Sequence, residues 1–298
     1  MTFRALFLAF LTWIPYANAS LLWSYSYSGS GVSGSGYLTT SSTLNGGAYS
    51  ITGISGNRGL LPVESLLPPG SYPASGGGVL VSDNLLHPGS PLLGFGGFTV
   101  SAGTDLYNVY NTGGTYYDLA GVNCGALDCG QPGHLGTPVT FTANLIPSLE
   151  WQFSYSGTGV SASGDLFTLA TALNGHYQIV GLTGTRNGQA MNALFPAGTY
   201  GASGGGVLVS DNFLFPTDPF LDFGGFTFHA GNDRYNVYYT GGTYYDLAGV
   251  NCGRFDCGQP GHLGTPVSFS LAQVPEPGSL ALMAAALGML GVGRRKRK

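Results

Sequence analysis

Four cysteines fall in two pairs of equal spacing, Cys124 with Cys129 and Cys252 with Cys257, and each pair is followed by a histidine, His134 or His262. Two chemistries suit this pattern. Two thiolates and an imidazole supply three zinc ligands, one short of a closed tetrahedral site. An even count in matching short loops reads instead as one disulfide per pair, if the chain matures in an oxidising compartment. Disulfides and no metal are the expectation. Closing so short a loop contributes about 2 kcal/mol.

The carboxylates offer less. Asp83, Asp105, Asp118 and Asp128 recur as Asp211, Asp233, Asp246 and Asp256. Paired carboxylates run glycoside hydrolysis, and oxygen clusters hold calcium. No D-x-D-x-D-G loop is present, no glutamate recurs, and Asp-Asn pairs are ordinary turn formers through Asx hydrogen bonds. A G-x-S-x-G elbow is absent as well. The glycine triplets at 76–78 and 204–206 precede strands and do not open a helix onto a phosphate. No catalytic residue and no cofactor is therefore expected. Tyrosines form the richest remaining surface. Strand alternation sends Tyr107 and Tyr110 to opposite faces, so Tyr110 and Tyr117, with Tyr238 and Tyr245, are candidate glycan contacts. Cross-strand packing is the competing role for the same rings.

The elements that carry these residues are strands. Trp23-Ser-Tyr25-Ser-Tyr27-Ser alternates strictly, Trp151-Gln-Phe153-Ser-Tyr155-Ser repeats the pattern, and Val139-Thr-Phe141-Thr and Val267-Ser-Phe269-Ser-Leu271 do the same. A period of two puts large apolar groups on one face and hydroxyls on the other. Further strands are expected at 31–40, 48–55, 79–86, 97–101, 106–111 and 115–120, and the Gly-Gly pairs 96–97 and 113–114 are expected in hairpin turns. No helical periodicity intervenes, so the fold class is all-β, an antiparallel sandwich or barrel.

That set of strands occurs twice. ASGGGVLVSDN at 74–84 returns at 202–212, TGGTYYDLAGVNCG at 112–125 at 240–253, and DCGQPGHLGTPV at 128–139 at 256–267, a period of 128 residues. Solenoid repeats are far shorter, and this period is domain-sized. Two tandem β-domains are expected, 20–147 and 148–273, hinged at Ile146-Pro147-Ser148, with one interlocked barrel or sandwich as the alternative. Each half should then fold alone.

Both ends differ from the body. Arg4, an apolar stretch from Ala5 to Tyr16, and the small-x-small site Ala17-Asn18-Ala19 before Ser20 make residues 1–19 a secretory signal peptide, cleaved by signal peptidase after Sec export. At the other end, residues 274–298 contain the stiff Pro275-Glu276-Pro277, an apolar run from Ser279 to Val292, and the basic stop Arg294, Arg295, Lys296, Arg297 and Lys298. The run suits a short transmembrane helix, and the cations hold that end in the cytoplasm. In parts and order the tail resembles the PEP-CTERM sorting signal of Gram-negative bacteria. The resemblance implies that an exosortase, a membrane peptidase, reads Pro275, Glu276 and Pro277 and removes the tail.

Once both ends are gone, four arginines (Arg58, Arg186, Arg234, Arg254) face thirteen carboxylates, or fourteen if Glu276 is kept, for a net charge of −9 to −10, and no lysine remains. Such a body does not bind nucleic acid by counterion release. Glycine, at 51 of 298 residues, far exceeds the usual ~7%, but the aromatic content is that of a chain with a core. The segments VLVSDN, YNVY and GGTYYDLAG resemble repeat-bearing exported proteins with PEP-CTERM tails. That likeness implies association with an exopolysaccharide-producing envelope, transient inner-membrane anchoring, and a cell-surface or extracellular fate. A non-enzymatic surface or matrix protein is the leading expectation. A pair of carbohydrate-binding modules comes second and a secreted hydrolase third.

Overall fold

Trp23, Tyr25 and Tyr27 are buried while Ser26 and Ser28 face solvent, and the strand they form sets the pattern for the body. A computed structural model describes residues 20–125, 129–130, 133–252, 257–258 and 261–275. Its first copy contains β1 (Leu21–Gly29), β2 (Val32–Thr40), β3 (Tyr49–Arg58), β4 (Leu61–Pro62), β5 (Ser65–Leu66), β6 (Gly70–Pro73), β7 (Val79–Ser82), β8 (Leu85–Leu86), β9 (Phe98–Ala102), β10 (Asp105–Thr112), β11 (Thr115–Ala120) and β12 (Thr137–Leu145). The second copy repeats them in order: β13 (Ser148–Gly157), β14 (Val160–Leu169), β15 (Tyr177–Arg186), β16 (Gln189–Met191), β17 (Ala193–Leu194), β18 (Gly198–Gly201), β19 (Val207–Ser210), β20 (Phe213–Leu214), β21 (Phe226–Ala230), β22 (Asp233–Thr240), β23 (Thr243–Ala248) and β24 (Thr265–Gln273). Single 3-10 turns follow β11 and β23. The fold is all-β, and no helix among the described residues is long and apolar enough to cross a membrane.

Each copy is an antiparallel circuit. In the first the order runs β3-β2-β1-β12-β11-β10-β9. The segment from β4 to β5 bridges its ends, because β4 pairs with β3 and β5 pairs with β9. In the second copy β16 and β17 make the corresponding link between β15 and β21. Closure leaves few edges for intermolecular pairing. It needs a tight bend where β2 meets β3. Gly36 lies opposite Gly56 there, and a Cβ on Gly36 would sit 1.9 Å from the Ser55 carbonyl oxygen. The interior holds Trp23, Tyr25, Leu38, Ile54, Phe98, Val109 and Phe141 in one copy, and Trp151, Phe153, Leu166, Phe226, Phe228 and Val237 in the other. The hairpins β6–β7 and β18–β19 lie apart from the main sheet.

Several sequence expectations change here. β4, β5 and β6 were not foreseen, and the strand expected at 79–86 breaks at Asp83-Asn84, where Asn84 takes a φ of 52°. Gly113-Gly114 is the hairpin turn between β10 and β11, both with positive φ. Gly96-Gly97 is not a hairpin. It lies before β9, and its Gly97 carbonyl accepts from the Asn84 amide at 2.8 Å.

The first and last strands of each copy are neighbours, β1 beside β12 and β13 beside β24. The chain therefore leaves a copy where it entered, and Ile146 and Pro147 alone connect β12 to β13. Ser20–Gln273 forms one compact unit. Across its seam β17 pairs in parallel with β3, Ala193 opposite Ile54. Leu22, Phe167 and Val180 pack together there, and the Ser55 hydroxyl donates to the Val180 carbonyl. Asn192 mimics a strand: its Nδ2 donates to the Leu66 carbonyl at 2.6 Å and its Oδ1 accepts from the Leu66 amide at 3.3 Å. Asn192→Ala would orphan both Leu66 groups, an expected loss of about 1–3 kcal/mol. Urea unfolding reads it as a lower midpoint at unchanged slope. A loss no larger than that of exposed Ser268→Ala would contradict this role for Asn192.

Candidate functional site

Two of the four body arginines recur, Arg58 and Arg186, and both end in the same buried constellation. Arg58 closes β3 and reaches Asp118 on β11 through a bidentate pair, Nε to Oδ2 at 2.9 Å and Nη2 to Oδ1 at 2.7 Å. The Tyr107 ring of β10 lies 3.7 Å beneath the guanidinium. The twin site has Arg186 on Asp246 at 2.7 and 2.8 Å, the Tyr155 hydroxyl donating to Asp246 at 2.7 Å, and Tyr235 3.7 Å from the guanidinium. Both aspartates are buried. Burial first, then the carboxylate charge, pushes the Tyr27 and Tyr155 hydroxyls far above the usual tyrosine range. They are hydrogen-bond donors at any physiological pH. Every charge in these sites is already paired, which is the geometry of a structural pin.

The other recurring aspartates are similarly engaged. Asp105 accepts from the Ser75 hydroxyl at 2.7 Å and the Val122 amide at 2.9 Å, holding the 3-10 turn before the cysteines, and Asp233 does the same with Ser203 and Val250. Asp83 closes an Asx turn onto the Leu85 amide at 3.1 Å, as Asp211 does onto Phe213. In the same motif Ser82 donates to Asn84, and Asn84 donates to the Leu67 carbonyl. Asn108 of the YNVY segment joins Val81, Gly96 and Thr99, each at 2.9 Å. These motifs are a buried polar network that docks the β6–β7 hairpin onto β9 and β10. Asp128 and Asp256 lie outside the described residues.

Disulfides join Cys124 to Cys129 and Cys252 to Cys257. Each belongs to a small satellite core, the first with Ala74, Leu80, Tyr110 and Leu119. His134 Nδ1 is 3.3 Å from the Gly125 amide nitrogen, and no cluster of metal-ligating side chains occurs among the described residues. The satellite cores correct the tyrosine expectation. Tyr110 and Tyr238 are each 1% exposed and donate to the Leu135 and Leu263 carbonyls at 2.8 and 2.7 Å. They present no face to a glycan, because Leu80 or Leu208 of the hairpin and the paired cysteines pack on the side of β10 and β22 that alternation left open. Tyr117 and Tyr245 are half-buried and stack on them at 5.7 Å.

Non-recurring charges gather at the seam. Arg234 binds Glu64 of the first copy at 2.7 Å and the Gly201 carbonyl at 2.7 Å, beside His229, whose imidazole burial pulls below its ordinary range. The corresponding positions in the other copy are Leu106, Asn192 and Ser101. A cleft of about 260 Å³ opens along the same seam, lined by Ser35, Tyr37, Asn57, Gln178, Pro196 and Asn212 among others.

The copies also differ around the Asx turns. Asp83 faces His87, whereas Asp211 faces Asp222. Burial first and the Asp222 charge second push the Asp211 carboxyl up to about 6. A carboxyl raised above its unfolded value of ~3.9 contributes stability that is complete below that pH and lost as pH rises through 6. Asp222→Asn removes the repulsion and keeps an oxygen for the Gly224 and Gly225 amides. It should stabilise the protein by about 1 kcal/mol at pH 7, discounted for partial exposure, and by nothing at pH 4. Thermal unfolding at the two pH values checks this. An equal effect at both would contradict the coupling.

Of the sorting motif, Pro275 is exposed, and Glu276, Pro277 and the basic residues 294–298 lie outside the described residues, as do Ala17 and Ala19. The short transmembrane helix expected in the tail lies outside them too. Residues 273–298 match the family model of the PEP-CTERM protein-sorting motif. No curated protein and no solved structure matches the chain. The tail is therefore the signal that the sequence suggested, and the chain is an exported protein that carries a PEP-CTERM sorting signal for exosortase.

Proposed function

We propose that the mature body is a non-enzymatic envelope or matrix protein that associates with exopolysaccharide after exosortase releases it from the inner membrane. The observation that carries this reading is how the described ionisable groups are used. Arg58–Asp118, Arg186–Asp246 and Arg234–Glu64 are paired within the fold. Asp83, Asp105, Asp211 and Asp233 are bound to backbone amides. Catalysis needs acids and bases converging on a free reacting position, and these groups converge on one another. An acidic surface without lysine also suits a protein that stays soluble in a hydrated polysaccharide layer.

A carbohydrate-binding role has one specific support, the cleft between the copies. Its lining is uncharged and combines the Tyr37 ring with the Ser35 hydroxyl and the Asn57 amide. Aromatic faces and neutral hydrogen-bonding groups suit a neutral sugar, and the volume suits about one ring, below the usual range for larger ligands.

Protein recovered from the native exopolysaccharide fraction should have an intact mass that begins at Ser20 and lacks Arg294 to Lys298. It should co-sediment with that polysaccharide equally well at low and high salt, since the binding is uncharged. Tyr37→Ala should weaken co-sedimentation about tenfold if the cleft is the site. A mass that retains the tail contradicts the processing. Absence of protein from the polysaccharide fraction contradicts the association, and an unaltered Tyr37→Ala contradicts the cleft alone.

A further inference from the structure

The backbone nitrogen of Ser20 lies 2.8 Å from Oε2 of Glu150, a contact across 130 residues of sequence. Glu150 stands near the start of β13, half-buried, with Asp165 of the neighbouring β14 adding negative potential. Burial pushes the Glu150 carboxyl up to about 7, Asp165 adds to the rise, and the Ser20 amide offsets part of it. The ion pairs among the described residues use Arg58, Arg186 and Arg234, and none reaches this carboxylate. Its position is private to the second copy, since Leu22 stands in the first. It also lies where the start of β1 meets the seam, next to the cluster of Leu22, Phe167 and Val180. A part-buried carboxylate beside a second acid, met among the described residues by a neutral amide, is a poor arrangement.

The sequence supplies what is missing. Ala17-Asn18-Ala19 marks signal-peptide cleavage at the bond whose nitrogen belongs to Ser20. Water adds across that bond, Ala19 leaves as a carboxylate, and Ser20 keeps its nitrogen as an α-ammonium. We propose that signal-peptide removal converts the Ser20 nitrogen into the counter-ion of Glu150, so that export processing itself completes an ion pair fastening the start of β1 to the second copy. The precursor lacks the pair and the mature protein has it. Maturation on the far side of the membrane therefore tightens the seam, and a chain still carrying its leader is the looser form.

Composition makes the test clean. After the tail is lost the mature protein has no lysine, so its α-amine is the single primary amine available to an acylating reagent. In the mature protein from the native host, the pH dependence of acylation should place that amine about one pH unit above the ordinary ~7.7–8.0. Glu150→Gln should return it to that range, with about tenfold faster acylation at pH 7. Inserting one glycine between Ala19 and Ser20 moves the ammonium off the carboxylate and keeps processing intact. It should lower the melting temperature by about 2–4 °C, and by much less in the Glu150→Gln background. Should Glu150→Gln fail to fold, the glycine insertion and the native amine titration decide alone. An amine titrating normally in the native protein, an insertion without thermal cost, or a mature chain starting elsewhere than Ser20 would each overturn the proposal.

Discussion

Each copy is closed around one buried ion pair, and the pair dictates much of the rest. Arg58 comes from the end of β3 and Asp118 from β11, strands that are not neighbours, while Tyr27 of β1 and Tyr107 of β10 complete the surroundings. Four strands of the circuit must therefore arrive in one register. A slip of one residue on β3 or β11 would turn its charged side chain to the opposite face and leave the other charge buried alone, at a cost of about 3–5 kcal/mol. A slip of β1 or β10 would remove the hydroxyl or the ring from the pair. Removing two ions from water is itself expensive. The bidentate geometry and the aromatic ring beneath the guanidinium offset that cost. The pair acts chiefly as a specification of register, with modest net stability, a role that charged cores play in some proteins.

Duplication and divergence divide along the same physical line. Residues that serve a copy's interior recur: the Arg–Asp pin, the Ser-Asp-Asn turn, the YNVY asparagine and the cysteine clip. Several side chains that make the seam's particular contacts do not recur, because the two copies meet through different surfaces. Leu22 aligns with Glu150, Thr39 with Phe167, Ser55 with Thr183, Glu64 with Asn192, and Leu106 with Arg234, and these positions lie at or beside the junction. A tandem repeat whose first and last strands adjoin needs almost no linker, so the copies are pressed together and their contact must be asymmetric. The cleft and the Ser20–Glu150 contact both belong to that asymmetric region, which makes it the part of the body with chemistry still to offer.

Strict alternation made β1, β12, β13 and β24 legible, and the even cysteine spacing made the disulfides legible. Proline before an apolar run and a basic stop made the sorting tail legible without any fold at all. The two-residue strands β4 and β5 were not, since closure of the circuit selects them and no local pattern does. The choice between packing and glycan contact for Tyr110 was not legible, because alternation says that two faces exist and not that a hairpin covers the second. The Arg58–Asp118 pin leaves a trace in the sequence: of the four body arginines, only Arg58 and Arg186 recur, each sixty residues before a recurring aspartate. Seam residues such as Asn192 were illegible in principle, because a difference between copies looks like drift until the contact is seen.

The buried pair specifies each copy's closure, and a graded pair of substitutions at the second copy tests this most directly. Arg186→Met leaves Asp246 buried without its cation and should lower stability in thermal or urea unfolding by about 3–5 kcal/mol. Adding Asp246→Asn removes the orphaned charge and keeps an oxygen for the Tyr155 hydroxyl, so the double variant should recover a large part of that loss. A single substitution as mild as a surface change, or a double variant no more stable than the single, would contradict the account.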